Sequence, residues 1–221
     1  MGSILAVLLI LLILIVIEKN DQNNTNDNIV EQGGEISLDK NIVITSIEPY
    51  SGSFMEDGSD EDVENILMIT VKNNGMQSLQ YAEVILTFGD STAVFSFSTL
   101  RPGESMVVLE KNRLEYPDKE LTEHQIQNVV YFEENLNFCE DKFEISAMDG
   151  AFNVKNISGE DLSGNIAIYY KNKQDNIYYG GITYRVVIEG GIEKDGIRQV
   201  VTEHFKTDKS EVMFVSYTKM E

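Results

Sequence analysis

Cysteine, histidine and basic residues are all scarce in this 221-residue chain, and each shortage excludes a class of protein. The single cysteine, Cys139, excludes an internal disulfide, and the two histidines have no second His or Cys at zinc-ligand spacing. Only 17 Lys and Arg stand against 37 Asp and Glu, a net charge of −20, which disfavours nucleic acid and anionic lipid surfaces as partners. Because G-x-S-x-G motifs, Cys/His pairs and phosphate-binding loops are also missing, we expect neither an enzyme nor a cofactor.

The first feature that the sequence does have is an unbroken apolar run from Ile4 to Ile17. A membrane-spanning helix needs about 20 apolar residues, so a helix over residues 1–17 would stand upright in the bilayer. A signal peptide ends in small residues at a cleavage site, whereas Glu18 follows Ile17 directly. The run therefore predicts an uncleaved, single-pass anchor, and we expect the N-terminus inside and the remaining chain outside the cell.

A polar segment, residues 18–40, follows the apolar run and is rich in Asn, Asp, Gln and Gly. It has too few apolar residues to fold, so we expect a flexible linker between the membrane and a folded part. An exported part without disulfides is typical of a bacterial envelope. The expected localisation is thus the cell membrane, with extracytoplasmic C-terminal domains.

Beyond the linker, short β-branched and aromatic runs alternate with turn signals, which is typical of strands. In the first half, strands are expected at 41–48, 66–73, 81–88, 92–98 and 105–110. The alternating residues Val84, Leu86 and Phe88 predict one buried face. Residues 118–128 are the exception, and there we expect a helical turn.

The second half repeats part of this pattern. Val71-Lys72-Asn73 is echoed by Val154-Lys155-Asn156, and each is followed by a turn and an alternating strand. A repeat of roughly 80 residues has the size of a sandwich domain. We therefore predict two tandem β-sandwich domains, residues 41–138 and residues 139–221.

The V-K-N turn followed by an alternating strand and the loop Leu100-Arg101-Pro102-Gly103 resembles the small Ig-like β-sandwich modules of Gram-positive surface proteins, and the FxLYD-type domains in particular. The second half keeps the turn but has Gly190-Gly191 in place of the Pro-Gly loop. The resemblance implies an Ig-like fold and a surface location, and no chemistry.

An acidic stretch, residues 56–64, is the first candidate site. Ca²⁺ takes six to eight oxygen ligands, and closely spaced carboxylates can supply them. The candidate ligands are Asp57, Asp60, Asp62 and Glu64. The alternative interpretation is a solvated loop between two strands, because the register of an EF-hand is absent.

Five tyrosines between residues 169 and 184 provide the second candidate site. If Ile166, Ile168 and Tyr170 face the core, then Tyr169 faces outward. If Ile182, Tyr184, Val186 and Ile188 face the core, then Tyr179, Thr183 and Arg185 face outward. Exposed Tyr beside Arg is typical of interface hot spots and of surfaces on which sugars stack. The alternative is burial against the first domain.

These observations favour a non-catalytic, membrane-anchored extracytoplasmic module of a bacterial envelope that binds an envelope protein or a glycan. A cation-binding domain using residues 56–64 is one alternative. An accessory subunit of a secretion or cell-wall assembly is another. The sequence leaves the oligomeric state open.

Overall fold

The computed structural model describes residues 34–39 and 41–220, and every helix or strand found there is a β-strand. The prediction of an all-β protein is therefore confirmed for these residues. No helix in the described ranges is long and apolar enough to cross a membrane. The predicted membrane segment and most of the predicted linker lie outside the described residues.

Thirteen strands follow one another along the described chain. Their bounds are β1 (Ile36–Ser37), β2 (Ile42–Ser53), β3 (Asp62–Asn73), β4 (Leu79–Phe88), β5 (Ser91–Leu100), β6 (Ser105–Leu109), β7 (Glu123–Tyr131), β8 (Phe143–Met148), β9 (Ala151–Asn156), β10 (Gly164–Gln174), β11 (Ile177–Ile188), β12 (Ile197–Val201) and β13 (Ser210–Lys219). The five strands expected in the first half correspond to β2 to β6.

The strands form a seven-stranded sheet, β1-β2-β3-β6-β11-β10-β13, and two three-stranded sheets, β5-β4-β7 and β12-β9-β8. We call β1 to β7 the first half and β8 to β13 the second half. Apart from β1, the two halves have the same strand order, because β2-β3-β6 corresponds to β8-β9-β12 and β5-β4-β7 to β11-β10-β13. The described residues form one compact unit, and the division into two domains at residue 139 stays a prediction.

The seven-stranded sheet joins the halves where β6 runs parallel to β11, with Met106 opposite Tyr178 and Val107 opposite Tyr179. The strands of the hairpin β10–β11 have 11 and 12 residues, those of the corresponding hairpin β4–β5 have 10 each, and β11 pairs with β6 through Tyr178 and Tyr179. Asp175 and Asn176 form the tip of the hairpin β10–β11 with φ values of 50° and 66°, as a type I′ turn requires.

The two small sheets lie on opposite faces of the large one. Neighbouring residues of a strand point to opposite faces. On β11, Tyr184 packs against the second-half core that contains Phe152, whereas Thr183 forms a hydrogen bond with Ser98 of β5. The small sheet of the first half and the small sheet of the second half therefore cover opposite faces of the shared sheet.

The residues that alternate along β4, β5 and β10 on the predicted inward faces are buried, each with at most 4% of its surface exposed. They are Val84, Leu86, Phe88, Ala93, Phe95, Phe97, Ile166, Ile168 and Tyr170. Fully burying one large apolar side chain contributes about 1.5–3 kcal/mol, so the period-2 pattern stabilises both halves.

The repeated V-K-N turn is held by a buried asparagine in each half. The amide of Asn73 donates to the carbonyls of Gln77 and Leu100, both at 2.9 Å, and its oxygen accepts from the N–H of Gly75. Asn156 does the same in the second half, where its amide donates to the carbonyls of Glu160 at 2.7 Å and Ile192 at 3.0 Å. The sequence echo thus reflects a shared hydrogen-bonded turn.

The helical turn expected at residues 118–128 is wrong, because β7 begins at Glu123 and pairs with β4. The strand β7 lies at the edge of its sheet and buries little of either face. Its polar sequence therefore lacks the clear alternation that would have predicted a strand. Backbone hydrogen bonds to β4 decide its conformation in place of local propensity.

We expect Asn73→Ala to lower the free energy of unfolding by about 2–3 kcal/mol, because the buried carbonyl of Leu100 and the part-buried carbonyl of Gln77 lose their donor. Asn74→Ala is the matched control, since Asn74 is the exposed neighbour and its change should cost less than about 0.5 kcal/mol. Chemical unfolding measures both values. Equal effects of the two substitutions would contradict the role assigned to Asn73.

Candidate functional site

An aromatic surface lies on the face of the second half that its own small sheet does not cover. We define it by Phe132, Tyr169, Arg185 and Phe214. The rings of Tyr169 and Phe214 stack at a centroid distance of 4.1 Å and an interplanar angle of 9°. Phe132 meets Phe214 edge to face at 5.4 Å. All three rings are half-buried, so the protein holds them in place while part of each ring stays open to solvent.

Arg185 is the exposed residue of this surface. It lies directly opposite Tyr169 in the β10–β11 register, and its guanidinium carbon is 5.8 Å from the centre of the tyrosine ring. Among the described residues, no carboxylate forms an ion pair with Arg185. On a chain with 37 acidic residues, this guanidinium stays available to a ligand.

Thr183 lies on the same face as Tyr169 and Arg185 but belongs to the contact between the halves. Its hydroxyl is 2.9 Å from the hydroxyl of Ser98 on β5. Among the residues predicted to bind a partner, Thr183 therefore already forms a hydrogen bond with the first half.

The structure separates Tyr179 from the other three predicted residues. Tyr179 packs against a cluster of Phe54, Val107 and Leu109 in the first half. The outward orientation expected from strand alternation is wrong here, because the register between β10 and β11 shifts beside Gly180 and Gly181. The alternative interpretation, burial against the first half, describes Tyr179.

The acidic stretch is the connection between β2 and β3, and it is held by Arg113. This guanidinium lies 4.5 Å from the centre of the Phe54 ring and pairs with Asp57 at 3.1 Å and Glu61 at 2.8 Å. Hydrogen bonds from Ser59, and then the charge of Arg113, lower the pKa of Asp57. Two carboxylates of the loop, those of Asp57 and Glu61, thus hold the loop in place through Arg113.

The four carboxylates proposed as calcium ligands lie in different surroundings. Asp57 pairs with Arg113, and Asp60 lies 4.0 Å from the ring nitrogen Nδ1 of His204. Asp62 begins β3, and Glu64 is an exposed residue of the same strand. Within the described ranges, no three His, Cys, Asp or Glu side chains come together as a group that could hold a metal ion.

A buried lysine is the most unusual group of the molecule. Lys171 has no exposed surface, and its Nζ donates to the carbonyls of Ser98 at 3.0 Å, Gly181 at 3.2 Å and Ile182 at 2.6 Å. Ser98 belongs to the first half and the other two to the second half. The lysine therefore connects β10, β11 and β5.

Glu56 binds the other backbone group of Gly181, its N–H. Its carboxylate accepts from the N–H of Gly181 at 2.8 Å and from the N–H of Leu109 at 2.8 Å. Burial raises the pKa of Glu56 and lowers the pKa of Lys171, while the charge of each partner opposes the shift of the other. Only glycine fits at position 181, since a Cβ there would lie 2.1 Å from the carbonyl oxygen of Ser96.

A second polar network joins the halves at the Pro-Gly loop. Arg101, in that loop, pairs with Glu104 and with Glu211 of β13, and it donates to the hydroxyl of Tyr178 on β11. Lys173 also pairs with Glu211. Burial alone would raise the pKa of Glu211, but the bonds from Lys173 and Arg101 prevail and lower it.

Sequence reasoning missed Lys171 and the role of Glu56. Lys171 follows Tyr170 in an alternating strand, a position that predicts a solvent-facing lysine. It does point away from the second-half core, but β5 of the first half covers it there. Nothing in the local sequence indicates that cover.

We expect Lys171→Met to lower the free energy of unfolding by about 3–5 kcal/mol, because three carbonyls lose their buried donor and the buried carboxylate of Glu56 loses a neighbouring positive charge. The exposed strand residue Lys219 provides the matched control, Lys219→Met, with a change below about 0.5 kcal/mol. Adding Glu56→Gln to Lys171→Met should cost less than the sum of the single losses. Strict additivity of the two changes would show that the pair is not coupled.

The lowered pKa of Glu211 predicts a pH dependence of stability. A carboxylate of this kind stabilises the fold above its unfolded pKa of about 4.3, and the contribution is lost as the pH falls through the folded value. We expect the free energy of unfolding of Glu211→Gln to fall less steeply below about pH 4.5 than that of the wild type. Glu193→Gln, at an exposed position, controls for the loss of one carboxylate. Parallel curves for Glu211→Gln and the wild type would contradict the prediction.

Comparison with known proteins adds no relative. No family model matches this chain, and no curated protein or solved structure matches it either. The resemblance to FxLYD-type domains therefore rests on the turn motifs alone and stays a prediction.

Proposed function

We propose that this chain is a non-catalytic, membrane-anchored module of a bacterial cell envelope. Its two halves act as tandem Ig-like β-sandwich domains outside the membrane, and its aromatic surface binds an envelope protein or a glycan. The apolar run from Ile4 to Ile17 and the polar linker after it support the anchor. The identical strand order of the halves supports the tandem arrangement.

The observation that carries the binding proposal is the pairing of Arg185 with the stacked rings of Tyr169 and Phe214. Aromatic rings offer large apolar area together with a face on which sugars and other rings stack. An exposed arginine beside them adds hydrogen-bond donors and a charge, and Tyr and Arg are enriched among interface hot spots. Tyr169, Arg185 and Phe214 lie on three paired strands, so a ligand would not have to order these residues.

The rigid connection between the two halves supports a role in presenting a bound ligand. The shared sheet and the buried contacts of Lys171 and Glu56 connect the halves, so the aromatic surface has a fixed position relative to the first half. A module of this kind can hold a ligand at a defined place without chemistry of its own. This is the role that we assign to it.

Co-sedimentation of the full chain in detergent with isolated Gram-positive cell walls tests the proposal. We expect Arg185→Ala to weaken binding about 30-fold, which corresponds to a hot-spot loss of about 2 kcal/mol. The exposed Lys206 provides the matched control, because Lys206→Ala changes the net charge equally and should bind like the wild type.

Protease-treated walls distinguish a glycan, which survives the treatment, from a protein, which does not. The melting temperatures of both variants should stay within about 2 °C of the wild type, so that a loss of binding reports on the surface. Equal binding of Arg185→Ala and the wild type, or no binding of the wild type, would contradict the proposal.

A further inference from the structure

Strand β12 is the edge of its small sheet, and no described strand pairs with its free side. On the paired side, the carbonyl of Gly196 accepts from Asn156 and the N–H of Thr202 donates to Gly150. Because bonded positions alternate along an antiparallel strand, the N–H and C=O groups of Ile197, Gln199 and Val201 point to the free edge.

The same three residues carry exposed side chains. Ile197 is 64% exposed and Val201 is 72% exposed, and both lie on the outer face of the sheet together with Gln199. Edge strands in native proteins are usually protected by charges, prolines or a covering element. The outer face of this edge instead presents two β-branched residues on either side of a glutamine. The one charged residue of the strand, Arg198, lies on the inner face, where it donates to the carbonyls of Glu189 and Gly191.

The corresponding edge in the first half is covered. Strand β6 occupies the place of β12 in the first half, and β11 of the second half pairs with it. The interface that joins the two halves therefore consists of a strand added to an edge of this type. The second half presents the same type of edge, with no described strand on it.

We propose that a second copy of this chain covers the edge, with β12 pairing antiparallel to β12 about a two-fold axis at Gln199. In this register Ile197 of each copy lies opposite Val201 of the other, and Gln199 lies opposite itself. All three positions then form hydrogen-bonded pairs, because their backbone groups point to the free edge. The two apolar side chains gain partners across the interface on both sides of the axis.

The sequence of the edge favours this occupant. An antiparallel two-fold pairing requires a strand that is complementary to its own reverse, and Ile-x-Gln-x-Val meets that requirement. Each copy carries a net charge of −20, so the copies repel each other at long range. Dimerisation should therefore strengthen as added salt screens the repulsion.

Disulfide trapping of the full chain in detergent tests the register. In a Cys139→Ser background, Gln199→Cys should form a disulfide-linked dimer under mild oxidation, since a hydrogen-bonded pair places the Cα atoms about 5.5 Å apart. Val201→Cys is the matched control and should stay monomeric, because its own copy lies roughly 13 Å away along the strand. Mixing Ile197→Cys with Val201→Cys chains should restore the cross-link.

Two chains that associate only because they share a detergent micelle would cross-link equally well from either cysteine position. Equal cross-linking of Gln199→Cys and Val201→Cys therefore overturns the proposal. Absence of a cross-linked dimer for Gln199→Cys overturns it as well, provided that the variant melts like its Cys139→Ser parent. A third measurement needs no introduced cysteine. In the wild-type background, Val201→Lys should convert the dimer to a monomer. Met76→Lys is the control and should leave the dimer intact, because Met76 is 92% exposed in a turn of the first half.

Discussion

The desolvated ammonium of Lys171 is the constraint on which the arrangement of the two halves depends. A buried charge is tolerated only when acceptors surround it, and here the acceptors come from β5 of one half and β11 of the other. Gly181 makes the site possible, because its N–H donates to Glu56 and its carbonyl accepts from Lys171, while its Cα lies against the backbone of Ser96. Separating the halves would remove the carbonyl of Ser98 from Lys171 and the carboxylate of Glu56 from Gly181. The joint is thus defined by hydrogen-bond satisfaction as much as by apolar contact.

The long hairpin β10–β11 turns a simple repeat into an asymmetric molecule. Both halves have the same strand order, but only the second half has a hairpin that extends onto the edge of its neighbour. This extension covers β6 and leaves β12, the corresponding strand, at an open edge. It also places the outer face of β10, β11 and β13 beside the first half, where the aromatic surface lies. The two surfaces that we assign to partners therefore follow from one structural difference between the halves.

Charge and aromatic content alone are poor guides to the site in this protein. The acidic loop is tied down by Arg113, and the carboxylate of Glu56 is used within the fold. Among the tyrosines, Tyr179 packs against the first half, whereas Tyr169 keeps part of its ring exposed beside Arg185. Two side chains with the same chemistry thus differ in role because their surroundings differ.

The strands and the core faces could be predicted because period-2 alternation, as in Val84, Leu86 and Phe88, is a local property of the chain. The turn held by Asn73 and Asn156 was visible as an echo for the same reason. The strand at Glu123–Tyr131 was not, since pairing with β4 and not its own pattern makes it extended. Tyr179 was misplaced because the register shift beside Gly180 and Gly181 changes the face to which a residue points. Lys171 could not be recognised, because what covers the outer face of a strand is decided by a segment far away in the sequence. The sequence by itself determined the strands and which side chains prefer burial, and only the tertiary structure decided which outward faces stay open, since that depends on how the two halves pack together.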